Sequence, residues 1–234
     1  MEHSLKSPVI LMPDGLPAME MVTLSGGNFI RVHEETELVC EVEVSAFSIG
    51  RYAVTFDQYD LFAKATQRKL PGARGWGRKS RPIMKVSWFD ATAYAQWLSD
   101  ITGEDFRLPT EAEWELACRA GTKTDYSFGD KITKDQVNFD KTNGQTMPVG
   151  SYPPNRFGLF EMHGNVWEWC SDWYGKFPKK NVKDPRGPDD GSYRVLRGGS
   201  WFVNAALSRS TSRACDEPGE RDHSRGFRLA GRHR

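Results

Sequence analysis

The chain has 234 residues, 38% hydrophobic and 27% charged, a balance too apolar for disorder and a length that one folded domain accommodates. Thirty-two basic residues against 31 acidic ones leave a net charge of +1, so no global field draws the protein onto nucleic acid or an anionic membrane. No stretch is apolar over a membrane-spanning length and the run Val9 to Met12 is too short for a signal-peptide core, so a cytoplasmic location is expected.

Met21 to Ile30 reads as two short strands around the Gly26-Gly27 turn, and Glu41 to Ile49 alternates with a register shift after Ala46. Thr55 and Gln58 form a T-x-x-Q box, and Phe56, Tyr59, Phe62 and Ala63 recur at helical spacing, predicting a helix to about Arg68. Leu70 to Pro82 carries glycines and basic residues without the G-K-[ST] of a phosphate loop, so a solvated surface loop is expected. Ser87, with Asp90 at the third position, caps a second helix that Gly103 stops. Thr110-Glu-Ala-Glu113 is a capping box for a third helix over Glu111 to Arg119, with Gly121 as its stop. Beyond Gly121 the sequence is rich in Gly, Pro, Asn, Asp and aromatic residues, which predicts loops and short strands.

Cys40, Cys118, Cys170 and Cys215 show no C-x-x-C spacing and read as free, mostly buried thiols. The five histidines lack metal-ligand spacing, so zinc is not expected.

Several segments, in order, resemble the formylglycine-generating-enzyme/sulfatase-modifying family. They include Gly26-Gly-Asn-Phe29, Tyr52-Ala-Val-Thr55, Pro82-Ile-Met-Lys-Val-Ser-Trp88 and Arg107-Leu-Pro-Thr-Glu-Ala-Glu-Trp114. Phe157-Gly-Leu-Phe-Glu-Met-His-Gly-Asn-Val-Trp-Glu-Trp169, Arg197-Gly-Gly-Ser-Trp201 and Gly226-Phe-Arg-Leu-Ala230 continue the match. The resemblance implies an α+β, C-type-lectin-like fold with limited regular secondary structure. It gives an N-terminal extension over 1–19, the domain over 20–230 and a tail over 231–234. It also implies a structural calcium site with Glu161 and Glu168 as side-chain ligands and Gly164 and Val166 as carbonyl ligands, oxygen donors of the kind a hard cation prefers. Glu161 departs from the family's usual Asp or Asn. A second calcium site would use Asn138 and Phe139, but its downstream acidic ligand has no match here.

Family members that oxidise a substrate cysteine bind copper(I) through two cysteines after the G-G-S-[WY] motif. The matching positions here are Val203 and Ser208, neither suited to a soft ion, so neither copper nor formylglycine formation is expected.

The C-terminal region is also similar to the variable proteins of diversity-generating retroelements, whose variable codons are mostly AAC. Adenine mutagenesis of that codon never yields Lys, Gln, Glu, Met or Trp, and Phe202-Val203-Asn204, Ala214-Cys215-Asp216 and Asp222-His223-Ser224 contain only reachable residues. This resemblance implies a non-catalytic protein that binds a protein or other macromolecule through a loop of about 202–224. The implied contact residues are Phe202, Val203, Asn204, Leu207, Ser208, Ser212, Cys215, Asp216, Asp222 and His223, with Phe202 and Leu207 as apolar anchors. Arg209, Ser210, Arg213 and Arg221 read as framework positions holding the loop to the body. The alternatives are an enzyme of the same superfamily that does not use the copper cysteines, or an accessory or regulatory module.

Overall fold

Three helix starts are written locally, each as a reciprocal capping box in which the N-cap hydroxyl and the third-residue side chain satisfy one another's backbone N–H. In the computed structural model, which describes residues 9–10, 19–32 and 39–232, the chain begins with β1 (Val9–Ile10), β2 (Met19–Leu24), β3 (Gly27–Val32), β4 (Val39–Val44) and β5 (Phe47–Gly50). Helix α1 (Phe56–Ala65) follows its Thr55 cap, α2 (Trp88–Thr102) its Ser87 cap and α3 (Glu111–Arg119) its Thr110 cap, with β6 (Phe106–Arg107) between the last two. Helix α1 stops at Ala65, short of the expected Arg68, because the Thr66 hydroxyl bonds back to the Phe62 carbonyl and Gln67 turns left-handed. Ala120, at φ 46°, caps α3 one residue before the expected Gly121.

Downstream come β7 (Trp167–Trp173), β8 (Val182–Lys183), β9 (Arg194–Arg197), a 3-10 turn (Ala205–Ser208), β10 (Arg213–Asp216), β11 (Arg225–Gly226) and β12 (Ala230–Arg232). Among the described residues they complete three sheets, ordered β1-β2-β5-β12-β6, β10-β9-β7-β11 and β3-β4-β8. The last strand sits between β5 and β6, with Ala230 opposite both Ile49 and Arg107, so residues 231 and 232 continue the sheet past position 230. Strand β1 lies in the expected N-terminal extension and pairs with β2.

One apolar cluster joins α1 and α2 to Trp169, Leu196, Phe227 and Leu229, and a second joins α3 to β3, β4 and β5 around Trp114 and Ile49. These cores fix α3 and the β7–β9 pair, the two elements from which the segment after Arg197 is hung. Cys40, Cys118 and Cys170 are buried and Cys215 is half-buried, all of them free thiols. Among the described residues no helix is long and apolar enough to cross a membrane.

Candidate ligand-binding surface

The segment after β9 is anchored by one guanidinium. Arg197, wholly buried, donates to the carbonyls of Ser210 at 2.7 Å, Thr211 at 3.1 Å and Ser212 at 2.7 Å, and to Glu115 Oε2 at 2.9 Å. Three successive carbonyls are thus held by one planar fork, a task for arginine that lysine's single ammonium could not perform. Burial raises the Glu115 carboxyl, but Arg31, Arg197 and Arg119 more than offset this and hold it below its usual range.

Gly199, at φ +79°, lets the chain fold back, since a Cβ there would lie 2.3 Å from Ser208 Oγ. Asn204 caps the 3-10 turn. His163 then ties the turn to the body, with Nδ1 2.7 Å from the Ser208 carbonyl and Nε2 accepting the Ser127 N–H at 3.1 Å. Burial pushes this imidazole down to about 4, so the neutral ring carries its proton on Nδ1 and donates it to Ser208. Cys118 Sγ lies 3.7 Å from His163 Nε2, but burial pushes the thiol up to about 12, so the proton stays on sulfur and the pair is not an activated nucleophile. The framework arginines act as expected: Arg209 pairs with Asp125, Arg213 with Glu111 and Arg221 with Asp90.

The structure sorts the ten candidate contact residues into separate groups. Phe202, 37% exposed, lies against Trp201 and stacks on His223 at 6.0 Å, and Asp222 Oδ2 holds His223 Nδ1 at 2.9 Å. Leu207 is 45% exposed, with half-buried Ser212 bonded to the Ala206 carbonyl beside it. Asn204 is exposed, and Val203 is half-buried against the core. Ser208 is a correction: it is wholly buried behind Gly199, so its hydroxyl does not face a ligand. Cys215 and Asp216 lie not in a free loop but in β10, paired with β9, and Asp216 is bridged to Arg225. Backbone pairing with β9 makes that strand, which is why the sequence shows no period there.

Sequence reading missed Trp76. The loop of residues 70–82 is not simply solvated: Trp76, half-buried, meets Trp201 edge to face at 5.2 Å and His223 at 6.1 Å. A lone tryptophan in a basic, glycine-rich loop was the available signal, since a large aromatic without a partner is rarely left in water.

The model of the sulfatase-modifying factor enzyme 1-like domain matches residues 10–233, nearly the whole chain. The chain belongs to this family. It is 31% identical over 291 residues to the formylglycine-generating enzyme of Thermomonospora curvata, across 91% of this chain and 93% of that one. It is also 35% identical over 240 residues to the serine/threonine-protein kinase pkn1 of Chlamydia caviae, covering 90% of this chain and 38% of the relative, so it spans under half of that kinase's length. Among solved structures, Treponema denticola variable protein 1 superposes with a TM-score of 0.85 and 28% identity over 97% of this chain and 99% of that one. The fold is therefore the α+β, C-type-lectin-like fold of this family.

Two of the family's metal positions can be tested on the side chains present. Both oxygens of Glu168 are taken by the buried Arg228, at 2.6 Å from Nε and 2.8 Å from Nη2, and Trp114 Nε1 adds a bond of 2.6 Å. Arg228 also donates to the carbonyls of Gly50 and Phe160, so a fixed cation already gathers the oxygens of this region. Glu161 instead accepts the N–H groups of Gly150 at 3.1 Å and Tyr152 at 3.4 Å, and burial pushes its carboxyl up to about 7. Gly164, at φ +74°, leaves no room for a Cβ, which would lie 2.3 Å from the Asn138 carbonyl oxygen, and it donates its N–H to the Gly198 carbonyl, while Val166 is buried. Of the calcium cage expected from Glu161, Gly164, Val166 and Glu168, the two carboxylates are thus engaged within the protein, and a divalent ion on Glu168 would sit against the Arg228 charge, so these side chains do not fit the ion as they stand. At the second position Asn138 Oδ1 accepts from Asn143 Nδ2 at 3.0 Å while its Nδ2 donates to the Gln145 carbonyl and to Asn165, so the side chain staples loops.

The copper positions are equally closed. Val203 packs on the core and Ser208 is sealed in, offering no thiolate to a soft ion.

Proposed function

We propose that this chain is a non-catalytic ligand-binding protein, the variable protein of a diversity-generating retroelement. It would display residues 202–224 on a lectin-like scaffold toward a protein or other macromolecule. The observation that carries this reading is the contrast within the segment: buried Arg197, His163 and Gly199 fix its backbone, while Phe202 and Leu207 are 37% and 45% exposed. A backbone held by buried donors with apolar side chains turned to solvent is the arrangement of a rigid scaffold presenting replaceable contacts. The likeness to a protein named a variable protein, over nearly the full length of both chains, supports it. The cytoplasm remains the proposed location.

The match to part of a longer kinase favours a second reading, an accessory module that docks partners for an enzyme. An enzyme of the superfamily working without the copper cysteines is a third.

Sequencing the source locus and sibling clones separates them. A near-copy of the codons for residues 197–230, a reverse transcriptase gene, and differences confined to template adenines are expected. A locus without template or transcriptase, invariant among clones, sinks the proposal. Copper(I) uptake with oxidation of a cysteine peptide would overturn the non-catalytic part.

A further inference from the structure

Of the strands that end a sheet among the described residues, β3 is the longest, with six residues against four in β10 and two in each of the others. The pairing shows which of its main-chain groups point away from the sheet. On the far side of β4, the Glu41 N–H donates to Asn181 Oδ1 at 3.0 Å and the Glu43 carbonyl accepts the Asp184 N–H at 2.8 Å. A residue's N–H and C=O point to the same side of a strand, so Glu41 and Glu43 turn away from β3 and form non-hydrogen-bonded pairs with Ile30 and Asn28. Asn28 and Ile30 therefore aim their own N–H and C=O groups out from the sheet, and among the described residues no hydrogen bond reaches them.

This edge borders a groove of about 720 Å³, lined by Asn28, Phe29 and Ile30 of the strand and by Leu116, Lys123 and Thr211 from α3 and the loops beyond it. Phe29 and Leu116 are buried in one apolar cluster, and a Cβ at Gly27 would lie 3.6 Å from Leu116 Cδ1, so one face of β3 rests on α3. Ile30, on the other face, is 44% exposed. The charged groups of the groove balance, Arg119 and Lys123 against Glu41 and Asp125, with Arg119 already paired to Glu115 and Asp125 to Arg209, so ionic attraction does not define its ligand. A long strand edge with an exposed β-branched residue is a template for a further strand unless proline or charge blocks it. Strand β3 has no proline, and its one charged residue, Arg31, is buried against Glu115.

We propose that the free edge of β3 is a binding site that takes an extended segment of another protein by strand addition. The outward N–H and C=O groups of Asn28 and Ile30, two residues apart, are matched by another extended backbone, which supplies acceptors and donors at the same spacing. The added residue opposite Phe29 would turn its side chain into the groove toward Leu116, so an aliphatic residue is expected there, with its neighbours turned outward beside Asn28 and Ile30. The groove is of a size that holds one such segment, whereas a second copy pairing through β3 would bring its own α3 and Lys123 into the same space. Asn28, Ile30, Leu116 and Lys123 lie outside residues 197–230, so this site is independent of the reading of residues 202–224 as a binding loop.

Linear peptides selected from a random phage-displayed library against the intact protein are the probe, with affinities then measured on Ile30→Pro, Lys123→Trp and Phe202→Glu. Proline at an edge position whose N–H faces away from the ladder removes one outward donor and leaves the β3–β4 bonds in place. Lys123 is exposed, so Lys123→Trp narrows the groove from its rim, and circular dichroism with unfolding midpoints checks that each variant folds. One enriched peptide family is expected to lose roughly tenfold in affinity on both Ile30→Pro and Lys123→Trp and to keep it on Phe202→Glu. N-methylation of those peptides, one residue at a time, should weaken binding at every second position, the period of a paired strand, and bound peptide should slow hydrogen exchange at the Asn28 and Ile30 amides. No family that depends on both Ile30→Pro and Lys123→Trp, or an N-methyl scan without the two-residue period, overturns the site; a family lost only on Phe202→Glu does so while leaving the binding-loop reading standing. Slow exchange at the Ile30 amide in the peptide-free monomer would show that another segment of this chain fills the edge. Dimers that Ile30→Pro abolishes would show that a second copy does. Either outcome overturns the assignment to another protein.

Discussion

Arg197 and Glu115, neither reached by solvent, meet at 2.9 Å and join the end of β9 to the middle of α3. The same carboxylate receives Arg31 and Arg119, at 3.0 Å and 2.8 Å, so one buried anion organises three guanidiniums. Removing one member of such a group leaves buried charges uncompensated, which is more damaging than never having built it.

Glu115→Gln is accordingly expected to lower the unfolding free energy by about 3 kcal/mol or more. Urea unfolding near neutral pH measures it. A loss within experimental error would mean that the three arginines are satisfied by their other partners.

Gly199→Ala should act on the candidate loop in particular. The added methyl must displace the Ser208 hydroxyl, and the positive φ itself disfavours alanine, so a loss of about 1–3 kcal/mol is expected. Hydrogen exchange should show faster exchange over residues 205–212 than in the wild type, with α1 and α2 unaffected. Uniform acceleration across the chain would instead place Gly199 in the global fold.

Two buried groups tilt stability with pH in opposite directions. Burial raises Glu161 from 4.5 to about 7, so the folded state holds that proton longer, and stability falls as pH rises through this window. Glu161→Gln should therefore gain on the wild type as pH climbs from 4.5 to 7. Burial lowers His163 from 6.5 to about 4, so its contribution is complete above 6.5 and is lost as pH falls toward 4. The deficit of His163→Gln should shrink over that descent. Urea midpoints across a pH series check both, and parallel curves for variants and wild type would contradict the assignment.

Calcium should leave the unfolding temperature unchanged relative to chelator, because Arg228 already neutralises Glu168. A saturable rise with calcium but not magnesium would show that Glu161 turns from the Gly150 and Tyr152 amides to a metal, and would abolish the pH effect of Glu161→Gln.

Much of the architecture was legible along the chain. The capping boxes at Thr55, Ser87 and Thr110 involve partners three residues apart, and the Gly26-Gly27 turn is set by φ angles that glycine alone adopts readily, so both can be read without tertiary knowledge. The ordered motifs placed the chain in its family, and the absence of cysteines at Val203 and Ser208 was a matter of counting. Tertiary structure alone decided which side chains of the C-terminal segment face solvent. The Ser208 carbonyl is held by His163, 45 residues away in sequence, with the Ser208 side chain buried, and Glu168 is claimed by Arg228, 60 away. Trp76 reaches Trp201 only because two cores fix the elements carrying them. Capping and turn preferences are local free energies of a few bonds, whereas the direction of a loop side chain is set by whichever distant donor or ring the fold brings against it.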